Sequence, residues 1–278
     1  MKKESRSKLV SFLVGGLVFL VFIFPLYWMV VTALKTQVEI FSIPTPLWPE
    51  NLTFDAFAKQ LSSSGDTLRG FKNSLIISCG ATVIATVLAI PAAYGLARFR
   101  FGARRGLVLF FLITQMLPST LVLTSLYIMF SKMHLLNTYW APILADATLG
   151  IPFSIIILRT YFVSIPKELD EAAKIDGCST FSIIVRIIFP LCKPSLFSVA
   201  IFAFMWNWDD FQNQLIYLTK VDLYTVALAM RTTIDATGAD NWGAVMAMAL
   251  CSVLPAIVMF FCLQKYFVDG VSTSGLKG

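Results

Sequence analysis

Residues 75–97 read LIISCGATVIATVLAIPAAYGLA, 23 positions without a charged side chain. A bilayer core about 30 Å thick is crossed by roughly 20 apolar residues in a helix, so this stretch is long enough to span one. Five further runs share its character, at 9–34, 107–130, 139–162, 194–211 and 243–267, and the six make up about half of the 278 residues. None shows the alternating pattern of barrel strands. The first run is too long for the core of a signal peptide and lacks a clear small-residue cleavage site, so it counts as a span. The expected fold is an all-α membrane protein, one transmembrane domain over 1–278.

Composition agrees. The chain is 57% hydrophobic and 14% charged, with a mean hydropathy of +0.76, against roughly 45–50% apolar and about 25% charged in soluble domains. A soluble enzyme, a disordered chain and a nucleic-acid binder are all disfavoured. The five cysteines show no paired spacing and His134 is the sole histidine, so neither a disulfide framework nor a metal site is implied. No metal-binding residues are expected.

Lysine and arginine set the orientation. With the N-terminus inside, the inner segments 1–8, 98–106, 163–193 and 268–278 carry 13 basic residues in 59 positions, and the outer segments 35–74, 131–138 and 212–242 carry 7 in 79. The short loop 98–106 (RFRFGARRG) holds four arginines, whereas 131–138 holds one lysine. Both termini are therefore expected in the cytoplasm, with 268–278 a cytoplasmic tail. Partner or headgroup binding by the arginines is compatible with the same orientation.

Five spans contain internal prolines: Pro25, Pro91, Pro118, Pro142 with Pro152, and Pro255. Proline removes a backbone hydrogen bond and bends a helix. In a membrane that is tolerated where neighbours or a wet cavity satisfy the freed groups, so the pattern predicts kinked helices around something polar, although proline is common in membrane helices generally. Gln115 and Ser119 flank Pro118 near mid-depth of the third span. Asp146 lies seven residues past Tyr139, roughly 10 Å into the fourth. An intramembrane acid usually faces a cavity or a partner. Asn207 sits in Trp206-Asn207-Trp208-Asp209-Asp210 at the end of the fifth span, where indoles and carboxylates suit a sugar or an interfacial aromatic belt. Gln115, Ser119, Asp146 and Asn207 are the candidates for a solute path; structural hydrogen bonding is the competing role.

The longest inner loop, 163–193, reads VSIPKELDEAAKIDGCSTFSIIVRIIFPLCK and predicts two short helices. Pro166 fits the first turn of one, with Glu168, Asp170 and Glu171 at its positive end, and Gly177 stops it. Leu169, Ala172, Ala173 and Asp176 share a mostly small face. Ser179 caps the second, with Phe181, Ile184, Val185 and Ile188 together, and Pro190 and Pro194 end it and launch the fifth span. The first helix suits docking against another protein; an amphipathic connector lying in the headgroups is the alternative.

EAAKIDG at 171–177 with the spaced FPLCKPS at 189–195 resembles the cytoplasmic loop of permease subunits of binding-protein-dependent ATP-binding-cassette importers. NSLIISCGATVIATVLAIPAAYGLARFRF resembles that family's second span and arginine loop. SIPKELDEAAKIDG, WNWDDF and QKYFVDGVSTSGLKG are similar to its carbohydrate-uptake branch, the maltose and glycerol-phosphate kind. The likeness runs over nearly the whole chain. Cys178 departs where a small residue is usual, and Trp208 makes its stretch more aromatic.

The resemblance implies a six-span importer permease in a prokaryotic plasma membrane. Glu171, Ala172, Ala173, Asp176 and Gly177 would form the coupling helix seated in a cytoplasmic ATPase, which the tail near Gly275, Lys277 and Gly278 would also touch. Partners would be a second, homologous permease chain, two ATPase subunits that hold ATP and magnesium, and an extracytoplasmic sugar-binding protein. The chain lacks the phosphate loop G-x-x-x-x-G-K-[ST], so its expected work is mechanical: a transport subunit, not an enzyme, and with no cofactor of its own. The rivals are an ion-driven secondary transporter, which leaves the acidic loop unexplained, and a membrane enzyme or scaffold, which would need a clustered set of titratable groups.

Overall fold

A computed structural model describes residues 2–62, 66–237 and 241–274, and among them every regular element is helical. In chain order the α-helices are α1 (Lys2–Ala33), α2 (Gln37–Ile40), α3 (Asp55–Leu61), α4 (Asp66–Arg98), α5 (Arg104–Met116), α6 (Ser119–Lys132), α7 (Trp140–Ser164), α8 (Glu168–Ile175), α9 (Thr180–Ile183), α10 (Phe189–Leu191), α11 (Lys193–Trp208), α12 (Gln212–Tyr217), α13 (Val226–Thr237) and α14 (Trp242–Ser274). A π-helical turn, Ile184–Ile188, joins α9 to α10.

Among the described residues, α1, α4, α7 and α14 each contain a stretch long and apolar enough to cross a membrane; counting each of two bent pairs as one span gives up to six. The expected span 107–130 is not one kinked helix: α5 and α6 meet at 96°. The cause is Pro118. It forces Leu117 out of the helical region, to φ −73° and ψ 131°, as a following proline does. The expected fifth span is preceded by a second break, of 84°, between Thr180–Leu191 and Lys193–Trp208, with Pro194 in the first turn of α11. Pro25, Pro91, Pro152 and Pro255 stay within continuous helices. Pro142, expected to kink the fourth span, falls in the first turn of α7, where its missing N–H costs little.

Packing sorts the expected single domain into two compact units, Met1–Leu68 with Ala229–Leu254, and Arg69–Leu228 with Pro255–Gly278. In the second, Ala81, Ala85, Ala89 and Ala93 recur every fourth residue along α4, each no more than 1% exposed. Such a stripe of small residues lets another helix approach closely: a Cβ added at Gly150 of α7 would lie 3.6 Å from that of Ala85. Their core continues through Ile155, Leu158 and Phe162 of α7 to Ile183 and Ile188. Near its start, α4 is tied to the chain that follows α12: Asn73 donates to the carbonyls of Asp222 and Tyr224 and accepts from the Tyr139 hydroxyl. In the first unit, buried Glu39 accepts from the backbone and side-chain amides of Asn51, both at 2.8 Å.

Gly70 makes the tightest backbone approach. A Cβ there would lie 3.1 Å from the Val226 nitrogen and 3.2 Å from the Thr225 carbonyl, and backbone cannot swing aside as a side chain can. Gly70→Ala is expected to cost about 1–3 kcal/mol, the range for overpacking, and to lower the thermal unfolding midpoint in detergent. Gly95→Ala meets nothing within 4 Å and is expected to leave the midpoint unchanged or raised, because glycine inside a helix is unfavourable by roughly 0.5–1 kcal/mol.

Candidate functional site: a capped helix held on a buried ion pair

α8 carries three acids in its first turn, where the positive end of the helix dipole stabilises them. It ends as the glycine predicts. Gly177 has φ +81°, its N–H donates to the Lys174 carbonyl, and the Cys178 N–H donates to that of Ala173. These two bonds form a Schellman cap. Ser179 opens the next turn, its hydroxyl accepting from the Ser182 N–H. Pro166 lies just before α8, not in its first turn.

The expected coupling residues divide. Glu171, Ala172, Asp176 and Gly177 are exposed, whereas Ala173 is buried in the core shared with α4 and α7. Leu169 is also largely exposed, so the small face of α8 points outward except at Ala173. In the second helix the expected face is shifted. Ile183 and Ile188 are buried, while Phe181 and Val185 are exposed. The π turn between the two buried residues, in which the Phe189 N–H reaches back five residues to the Ile184 carbonyl, lets Ile183 and Ile188, five positions apart, face the same side. Exposed Ile175 and Phe181 add an apolar component to the surface around Gly177.

Sequence reasoning missed the group that holds α8 in place. The Asp170 carboxylate lies 2.5 Å from Arg98 Nε, and both side chains are nearly buried, at 6% and 5% exposure. Arg98 Nη1 donates to the Ile165 carbonyl at 3.0 Å, and the Tyr94 hydroxyl lies 3.5 Å from Asp170 Oδ2. The last turn of α4 is thereby latched to the first turn of α8. In the sequence Arg98 is one of four arginines in the run 98–106. A buried ion pair is visible in sequence only when the pairing of elements is already known.

Among the solute-path candidates, Gln115 and Ser119 are exposed, and Gln115 Nε2 donates to the Leu149 carbonyl of α7. Asp146 and Asn207 are each 2% exposed. Asp146 accepts from Asn213 Nδ2 at 2.9 Å, and the same amide group donates to Asp210. Asn207 Nδ2 donates to Thr82, and its carbonyl accepts from Gln214. Both are thus engaged with neighbours in the chain. Tyr217, in α12 outside the six spans, adjoins this network: burial pushes its phenol up to about 12, and the Asp146 and Asp210 carboxylates add to the rise. Trp208 packs on Phe204 and edge-on to Phe71, while Trp206 is exposed, as an interfacial belt residue would be. Gly275, Lys277 and Gly278 lie outside the described residues. Among those described, no cluster of three metal-ligating side chains occurs.

Asn213 donates to one oxygen of the buried Asp146 carboxyl, and the other oxygen has no hydrogen-bond partner among the described residues. Asn213→Leu is expected to cost at least about 1–3 kcal/mol, the penalty for a buried polar group left unpaired. Adding Asp146→Leu to that variant removes the stranded carboxylate and is expected to recover part of the loss, as measured by thermal unfolding.

Three comparisons bear on these features. The family described as "Binding-protein-dependent transport system inner membrane component" matches residues 69–273. A probable ABC transporter permease protein of Bacillus subtilis, YurM, is 37% identical over 92% of this chain and 84% of its own. A diacetylchitobiose uptake system permease protein of Streptomyces coelicolor, DasC, is 31% identical over the full length of both. A trehalose/maltose transport system permease protein of Thermococcus litoralis, MalG, is 30% identical, again over both full lengths. In fold, a bacterial ABC transporter involved in the import of the acidic polysaccharide alginate superposes with a TM-score of 0.84 at 20% identity, covering 96% of this chain and 98% of that one. A second structure, a bacterial alginate transporter in complex with an alginate pentasaccharide-bound periplasmic protein, gives a TM-score of 0.65. The family match over most of the sequence and the identities to these permeases agree: the chain belongs to the inner membrane components of binding-protein-dependent transport systems, the permease subunits of ABC importers.

Proposed function

We propose that this chain is half of the membrane pathway of an ATP-driven carbohydrate importer. It pairs with a second, homologous permease, and an extracytoplasmic binding protein delivers the sugar. The sugar systems named for its relatives in Streptomyces and Thermococcus support that substrate class. Two cytoplasmic ATPase subunits hold ATP and magnesium. Both termini lie in the cytoplasm, the side on which basic residues are enriched, and the tail around Gly275, Lys277 and Gly278 contacts the ATPase there.

One observation carries this reading. α8 is rigidly attached on one side and bare on the other. Asp170 and Ala173 fasten it to the core, while Glu171, Ala172, Asp176 and the turn at Gly177 present an exposed edge to a partner. Movement of a docked ATPase would pass through the Arg98–Asp170 pair into α4, and through the 84° and 96° breaks into the spans. Such breaks are suited to a bistable gate biased by a remote ligand. Gln115 and Ser119 line the solute path at the break in the third span. Asp146 and Asn207 stand behind it and position the α11–α12 corner.

Reconstitution with the copurifying subunits tests the assignment. Sugar uptake into proteoliposomes is expected to require both ATP inside and the binding protein outside. Uptake that persists without ATP and collapses with an ion gradient would contradict it.

A further inference from the structure

We infer that a basic cavity between α5 and α7, on the same side of the protein as α8, holds the headgroup of an anionic phospholipid. The cavity measures about 420 Å³ and is lined by Arg104, Arg105, Val108, Leu109, Leu112 and Arg159. Three arginines from two helices line it. Among the described residues no carboxylate pairs with any of them, and Arg159 Nε is buried without a hydrogen-bond partner. Arg104 and Arg105 also open α5, whose N-cap, Ala103, supplies no side-chain acceptor, so the positive helix end adds to the field. Guanidinium groups match phosphate oxygens in charge and in bidentate geometry.

The apolar part of the lining selects the occupant. Leu109 and Leu112 are 57% and 45% exposed and run from the arginines along α5 toward the bilayer interior. Arg159 lies five residues before the end of α7, roughly 7–8 Å in from that end. A phosphate at the arginines with an acyl chain along Leu109 and Leu112 satisfies both parts; a free phosphate leaves the leucines uncovered. Basic pockets between membrane helices suit anionic lipid headgroups in general. The inference rests on the membrane embedding of α5 and α7, not on ATPase coupling, so each can fail without the other.

The test uses the protein with its copurifying subunits in nanodiscs of phosphatidylcholine alone or mixed with phosphatidylglycerol. Retained lipid is read by native mass spectrometry, and stability by thermal unfolding. Wild-type protein is expected to retain phosphatidylglycerol selectively and to melt higher in the mixed discs. Arg159→Gln and Arg105→Gln are each expected to lower retention about fivefold, the size of effect expected per basic group at an anionic surface. Arg186→Gln, which removes an exposed arginine elsewhere, is expected to leave it unchanged. Equal losses in all three variants would reduce the effect to overall charge and overturn the site. The same stabilisation by inorganic phosphate in phosphatidylcholine discs would overturn the lipid assignment, as would a cross-link from position 105 to a protein partner with no lipid retained.

Discussion

Gly177→Val is expected to abolish ATP-driven uptake while the protein still inserts and folds. Gly177 holds φ +81° and has open space around it, so a Cβ added there meets no atom within 4 Å. The damage inside the chain is confined to backbone strain, of order 1–2 kcal/mol for a residue other than glycine in the left-handed region. That is small against the 5–15 kcal/mol that holds a typical fold together. Transport fails because the turn that ends α8 opens and the exposed edge no longer fits its partner. Gly177→Asn separates the two parts of this effect. Asparagine tolerates the left-handed conformation, so it keeps the turn while adding bulk, and it is expected to retain partial uptake. Normal uptake by Gly177→Val would remove α8 from the coupling role.

Asp170→Ala is expected to destabilise the protein by about 3–5 kcal/mol, because it strands a buried arginine; removing one partner of a buried ion pair costs that much. Arg98 would keep only the Ile165 carbonyl as a hydrogen-bond acceptor. The double variant Arg98→Met/Asp170→Leu replaces the pair with apolar groups and is expected to recover most of the thermal stability. Its uptake is expected to remain low, with ATP hydrolysis by the assembled complex no longer tied to transport. That split distinguishes a latch that carries movement from one that only holds the fold. An unchanged melting temperature for Asp170→Ala would show that the pair bears no strain-resisting role.

Local rules made much of this legible in advance. Four of the six apolar runs fall in single helices long enough to span, Gly177 marks the end of α8, and Ser179 marks the start of α9, because each depends on a few adjacent residues. The breaks were only half legible. Pro118 announces a disturbance, but a proline within an apolar run looks the same whether it stays within a continuous helix, as at Pro152, or ends one. The outcome turns on whether neighbouring helices support the bend. The π turn at Ile184–Ile188 was invisible, since an inserted residue shifts every later side chain around the helix without changing composition. The Arg98–Asp170 pair joins residues 72 positions apart. In the sequence Asp170 is one of three acids in a first turn. What singles it out is the side of α8 that meets α4, and only the packing settles that.

The central claim is that α8 rests against a separate ATPase and passes its movement to the spans. Photo-cross-linking from position 172, on the exposed edge of α8, tests this most directly in native membranes. The account predicts a single protein adduct, to the ATPase subunit, whose yield changes when ATP is added. Adducts to lipid alone, with no ATPase captured in either nucleotide condition, would contradict it.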